Sequence, residues 1–172
     1  MSKYYGNVVL VTGASSGIGK AIAQRLSQKG YKVYGTSRKP CAETDENAGQ
    51  VKMLQMDVTN EESVKAAIDK IIEAEGQLGI LINNAGMGIA GAVEDTSYEE
   101  ALLQFDTNFF GTHRVIRHVL PHMRKRGRGL IVNMSSVGAV FPIPYQAMYV
   151  ASKAALEGMS GCLRNELMTF GI

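Results

Sequence analysis

The chain's 172 residues fit one domain of ordinary size, and 45% apolar residues are enough to build a core. With 20% charged residues it falls outside the disordered and highly solvated classes. Eighteen basic and sixteen acidic side chains leave a net charge of +2, too weak a balance to argue for nucleic acid as a partner.

Strand and helix signals alternate along the chain. Residues 7–12 (NVVLVT) are a short, apolar, β-branched run and predict a buried strand. Residues 17–29 predict a helix, with Ile18, Ala21, Ile22 and Leu26 on one face and Gly30 ending it. A second strand is expected over residues 31–36, a polar loop over 41–50 and a third strand over 51–56. Residues 60–75 read as a helix and 80–83 as a fourth strand. A long helix is expected to fill much of 98–126, bent at Pro121. A fifth strand over 130–134 and a last helix over 147–170 complete the series.

Strands separated by helices imply parallel pairing with right-handed crossovers, and strands this apolar are covered on both faces. The expected fold is α/β: a doubly wound, three-layer αβα sheet of the Rossmann type, forming a single domain over residues 1–172. The chain stops just after a helix, where such a sheet is expected to add further strands, so C-terminal strands are expected to be missing. Cys41 and Cys162 show neither metal spacing nor a disulfide framework. Residues 1–5 do not read as a signal peptide and no apolar run is long enough to span a bilayer. A cytoplasmic location is the expectation. The basic run Arg124-Lys125-Arg126-Gly127-Arg128 sits at a predicted helix end, where cations meet the negative end of the helix dipole.

Between the first strand and first helix lies Thr12-Gly13-Ala14-Ser15-Ser16-Gly17-Ile18-Gly19. Glycines let the backbone turn sharply and approach a ligand, and the helix start offers free N–H groups to a pyrophosphate. Gly13 to Gly17 also fit G-x-S-x-G, the nucleophile elbow of hydrolases, with Ser15 as nucleophile. That reading needs a histidine, and His113, His118 and His122 all fall in one predicted helix. His118 and His122 have the i,i+4 spacing of a metal pair, but Pro121 lies between them and no third ligand is near, so they read as helix-surface residues and no metal is expected.

Tyr149 and Lys153 are four apart in the last predicted helix and share a face. Free tyrosine titrates near pH ~10, and a neighbouring ammonium favours the phenolate and lowers that value. The pair can therefore exchange a proton near neutral pH.

Taken together, the glycine loop, Asn83-Asn84-Ala85-Gly86, Asn108, Ser135-Ser136 and Tyr149-x-x-x-Lys153 resemble the short-chain dehydrogenase/reductase family, in its order and spacing over essentially the whole chain. The resemblance implies an oxidoreductase that moves a hydride between a nicotinamide cofactor and a small-molecule carbonyl or alcohol. It implies that Tyr149 exchanges a proton with the substrate oxygen, and that Lys153 holds the nicotinamide ribose and lowers the tyrosine's pKa. In the family the serine that holds the substrate oxygen lies thirteen residues before the tyrosine, which selects Ser136; Ser135 is expected to cap a loop. Asn108 would hold a water in a proton relay to Lys153. Gly13, Ser15, Ser16, Gly17, Ile18 and Gly19 would cradle the cofactor, Asn84, Ala85 and Gly86 would contact it, and Asp57 and Val58 would hold its adenine. NAD-preferring members carry an acid after the second strand. This chain has Ser37, Arg38 and Lys39 there, and arginine suits a 2′-phosphate, so the expected cofactor is NADP(H). A homodimer or homotetramer is implied, with Leu156, Met159 and Leu163 as candidate interface residues. The rival reading is a protein that binds NADP(H) without turnover.

Overall fold

The computed structural model describes residues 4–39 and 51–172. The expected loop 41–50, with Cys41, lies outside the described residues. Strands β1 (Val8–Val11), β2 (Lys32–Ser37), β3 (Val51–Gln55), β4 (Ile80–Asn83) and β5 (Leu130–Asn133) form one parallel sheet in the order β3-β2-β1-β4-β5. The helices are α1 (Gly17–Gln28), α2 (Glu61–Glu75), α3 (Tyr98–Phe105), α4 (Gly111–Arg126) and α5 (Ala147–Leu167).

Residues of β1 alternate between two cores, as the period of two requires. Val9 and Val11 pack with Val33, Ile80 and Ile82 under Ala23 of α1. Val8 and Leu10 pack with Tyr34 and Leu81 under Ile68 and Ile71 of α2 and Val115 and Val119 of α4. Covering both faces is why β1 is wholly buried and why its sequence is continuously apolar. The strand order reverses between β1 and β4, which opens a crevice at their C-terminal ends.

Several details differ from the expectations. The core face of α1 is Gly19, Ile22, Ala23 and Leu26, while Ile18 and Ala21 are exposed. The expected helix over 98–126 is two α-helices joined by a π-helical segment, Asp106–Phe110, and Pro121 lies inside α4 without ending it. The last helix tightens to a 3₁₀ turn at Met168–Phe170. Leu156 is buried, and Met159 and Leu163 are partly buried against the chain's own core.

Among the described residues, no helix is long and apolar enough to cross a membrane.

Candidate active site

The loop after β1 is held by reciprocal bonds to the loop after β4. Thr12 Oγ1 accepts from the backbone N–H of Asn84 (3.0 Å) and of Ala85 (2.9 Å). Asn84 Nδ2 donates back to the carbonyls of Thr12 (3.0 Å) and Gly13 (3.1 Å). Gly13 has φ +65°, and a Cβ there would lie 2.9 Å from Ala85 Cα. At Gly19 a Cβ would lie 2.3 Å from both Asn84 Nδ2 and the Gly13 carbonyl. The two glycines are thus fixed by the close approach of these loops.

This packing leaves the start of α1 open. Ser16, its N-cap, makes no side-chain cap bond and the first turn holds no acid. By contrast Asn60 caps α2, and Ser97 caps α3 in a capping box. The open N-terminus lies in a cavity of about 900 Å³. Ser15, Ser16, Gly17 and Ile18 line its middle, Ser37, Arg38 and Val58 one end, and Asn84, Ala85 and Gly86 the other. Thr36 also lines it, and its hydroxyl is buried with no hydrogen-bond partner. A dinucleotide fits this chemistry: free N–H groups and a helix dipole for the pyrophosphate, an unused hydroxyl, and Arg38 at one end. The Asp57 carboxylate is turned away, its Oδ1 accepting from Thr59 N–H (2.9 Å) and Oγ1 (2.8 Å). Val58, not Asp57, faces the cavity.

A second cavity, about 540 Å³, shares Ile18, Asn84, Gly86 and Met87 with the first. Ser135, Ser136, Tyr149 and Lys153 line it. One turn of α5 separates Tyr149 from Lys153 and presents both to the same space. Lys153 is 6% exposed. Its Nζ donates to the Met134 carbonyl (2.7 Å), and burial lowers its pKa below the ordinary lysine value.

Asn108 sits in the π segment, fully buried and outside both cavity walls. Its Oδ1 accepts from Met87 N–H (2.9 Å), and its Nδ2 donates to the Met87 carbonyl (2.9 Å) and Ser152 Oγ (3.1 Å). A Cβ at Gly86 would lie 3.2 Å from Asn108 Oδ1 and 3.7 Å from Lys153 Nζ. Glycine there keeps the space between the two side chains open.

The capping expected of Ser135 falls to its neighbour. Ser136 Oγ accepts from Gly138 N–H (3.1 Å) and caps the 3₁₀ turn Val137–Ala139. Ser135 caps nothing: its hydroxyl is buried without a partner. Ser136 still has its O–H to donate.

Gln104 was not foreseen. It is fully buried, accepts from Ile89 N–H (2.8 Å) and donates to the Met87 carbonyl (2.7 Å). With Asn108 it fixes the loop that forms one cavity wall. The available signal was a glutamine four residues before Asn108 in an otherwise amphipathic helix.

None of the three histidines lines either cavity, so Ser15 has no histidine beside it there. His118 Nε2 instead meets Glu61 Oε1 at 2.7 Å. No metal-binding cluster occurs among the described residues.

Known proteins share this sequence pattern and fold. The short chain dehydrogenase family matches residues 7–172. The 3-ketodihydrosphingosine reductase of Bacteroides thetaiotaomicron is 53% identical, over 96% of this chain and 60% of its own length. Human 17-beta-hydroxysteroid dehydrogenase type 1 is 37% identical, over 96% of this chain and 53% of its own. The crystal structure of a short-chain dehydrogenase from Streptomyces avermitilis superposes with a TM-score of 0.90 at 38% identity, covering 96% of this chain and 62% of that one. The chain thus spans little more than half the length of these relatives. The family match over nearly the whole sequence, joined to this sheet order and glycine loop, makes the chain a member of the short-chain dehydrogenase family.

Proposed function

We propose that this chain is the cofactor-binding and catalytic part of an NADP(H)-dependent oxidoreductase that interconverts a carbonyl and an alcohol. One observation carries the reading. Ser136, Tyr149 and Lys153 line a single cavity, and that cavity joins the open N-terminus of α1 through Asn84 and Gly86. The family's reaction class, oxidoreduction with a nicotinamide cofactor, agrees with it.

When bound, NADPH supplies the hydride that reduces the carbonyl carbon. The chain's residues handle the oxygen and the proton. In reduction Ser136 O–H donates to the carbonyl oxygen and polarises it. Tyr149 gives its phenolic proton to that oxygen as the C–O double bond becomes single, and is reprotonated from solvent. Lys153 stabilises the resulting phenolate and holds the ribose. Asn108, with one acceptor position of Oδ1 unused, holds a water facing Lys153 through the gap at Gly86. Oxidation runs the same steps backwards. Ser37 and Arg38 set the preference for the phosphorylated cofactor, and Arg38 has no carboxylate partner among the described residues.

The protein is further proposed to be cytoplasmic, to fold this region as one domain and to work as a homodimer or homotetramer. The exposed Tyr98, Leu102, Leu103 and Phe110 along α3 and the π segment support the assembly. Following NADPH absorbance with a panel of ketones and aldehydes tests the activity. Binding of NADPH with no turnover of any carbonyl would make the chain a nucleotide-binding protein instead.

A further inference from the structure

Two loops form the mouth of the cavity that holds Ser136 and Tyr149. Residues 85–93 follow β4, and residues 137–148 join Ser136 to Tyr149. Neither loop contains an Asp, Glu, Lys, Arg or His. Met87, Ile89 and Ala90 of the first and Ile143 of the second form its inner wall. Beyond the wall, Val137, Val140, Phe141 and Tyr145 are 68%, 72%, 67% and 70% exposed. Single exposed apolar residues are ordinary, but four within residues 137–145, beside a polar reactive cluster, mark a binding surface.

The loops are joined. Gly91 N–H donates to the Tyr145 carbonyl (2.8 Å), and Tyr145 has φ 62°, the one described non-glycine residue in the left-handed region. An aromatic residue adopts that backbone only where its surroundings impose it. The strain falls where the second loop meets the first.

An ionised group brought against the inner wall would lose water and find no counter-ion on either loop. Lys153, the one cation lining the cavity among the described residues, is buried and bonded to the Met134 carbonyl. Met87, Ile89, Ala90 and Ile143 on the inner wall and Val137, Val140 and Phe141 beyond it are all apolar. We propose that this mouth selects a ketone, or its alcohol, flanked by a long uncharged apolar chain. The chain lies along Val140, Phe141 and Tyr145, with the reacting oxygen at Ser136 and Tyr149. The proposal rests on the catalytic reading above and names its substrate class.

The test uses the full-length protein with NADP⁺ bound and a calorimetric titration with straight-chain 2-alkanones from butanone to decanone. Binding should tighten about threefold to fourfold per added methylene while the chain stays on the apolar surface. A ketone of decanone length ending in a carboxylate should bind about tenfold or more weakly than decanone. Phe141→Glu and Val140→Glu should each flatten the series without changing NADP⁺ affinity. A flat series in the unmodified protein, or equal binding of the carboxylate, overturns the proposal. So does an unaltered gradient in both variants, which would mean that another part of the protein or a second copy covers the rim. The unmodified series stands alone should the variants fail to fold. The two readings fail separately: a protein that does not bind NADP⁺, or turns over no ketone, refutes the catalytic reading. A protein that reduces butanone and the keto acid as well as decanone refutes only the substrate class.

Discussion

Arg114 of α4 donates from Nη1 to the carbonyl of Val58, 2.5 Å away, and so ties the helix to the loop that ends one cavity. The same guanidinium reaches Asp106 Oδ1 (3.2 Å) in the π segment and Glu61 Oε2 (3.3 Å) at the start of α2. Behind this contact a Cβ at Gly111 would lie 2.8 Å from Val58 Cγ2. One side chain thus links the seat proposed for adenine to the segment that carries Asn108. We predict that Arg114→Leu weakens binding of adenosine 2′,5′-bisphosphate about fivefold or more, the loss of a fraction of a charged hydrogen bond. It should also lower Tm by several degrees. Calorimetry and thermal melts check both; a lower Tm with unchanged nucleotide affinity would limit Arg114 to stability.

Cofactor choice is expected to depend on Arg38. NADPH should bind more tightly than NADH by about 1–3 kcal/mol, the scale of a charged hydrogen-bonded contact. Arg38→Ala should erase most of the difference while barely moving NADH. Titrating both cofactors into both proteins decides it, and equal affinities in the unmodified protein would refute the assignment.

Tyr149→Phe keeps the ring and removes the transferable proton. Turnover should fall by about 10²–10⁴-fold or more, with NADPH affinity almost unchanged. Lys153→Met should reduce both, because lysine is assigned to both tasks. The melts should show a further effect. Burial lowers the Lys153 pKa, so the charged side chain costs stability below that value, and the cost fades as pH rises through it. The Tm difference between Lys153→Met and the unmodified protein should therefore shift in favour of the unmodified protein as pH rises into the alkaline range. A pH-independent difference would count against this account.

Tyr34 is buried and donates to Glu75 Oε1 (3.0 Å), and burial first, then the bond and charge of Glu75, raise its pKa to about 12. A phenol held neutral in the fold stabilises below the ordinary value of 10.0 and loses that stabilisation as pH rises towards 12. The protein should lose stability over that interval, and Tyr34→Phe should show a smaller loss. Denaturant midpoints at a series of alkaline pH values measure it.

Much of the fold was legible because β1 and most of β4 are continuous aliphatic runs, as expected of strands covered on both faces. The glycine loop and the Tyr149–Lys153 pair stood out by spacing and Ser136 only through the family resemblance, and all of them line two joined cavities. What stayed hidden depended on contacts between distant segments. Periodicity put Ile18 with the core of α1, but the first turn of that helix projects past the sheet into the crevice, so Ile18 is 64% exposed. Ser135 and Ser136 are indistinguishable as residue types, and only the backbone decides which hydroxyl meets Gly138 N–H. Gln104 reads as a surface glutamine until the loop at Met87 and Ile89 folds over it. The irregularity in the helical stretch 98–126 is at Asp106–Phe110, where no proline stands.

That irregularity has a consequence for how the chain tolerates length changes. A π-helical segment carries one more residue than an α-helical turn needs. Each residue of an α-helix advances the phase by about 100°. Deleting one residue within Asp106–Phe110 would restore a regular helix, keep every core residue of α4 and leave composition almost untouched. It would also rotate α3 by about that angle relative to α4. Gln104 would turn away from Met87 and Ile89, and one wall of the reactive cavity would lose its anchor. A one-residue deletion here should therefore be tolerated as a fold and ruinous as an enzyme.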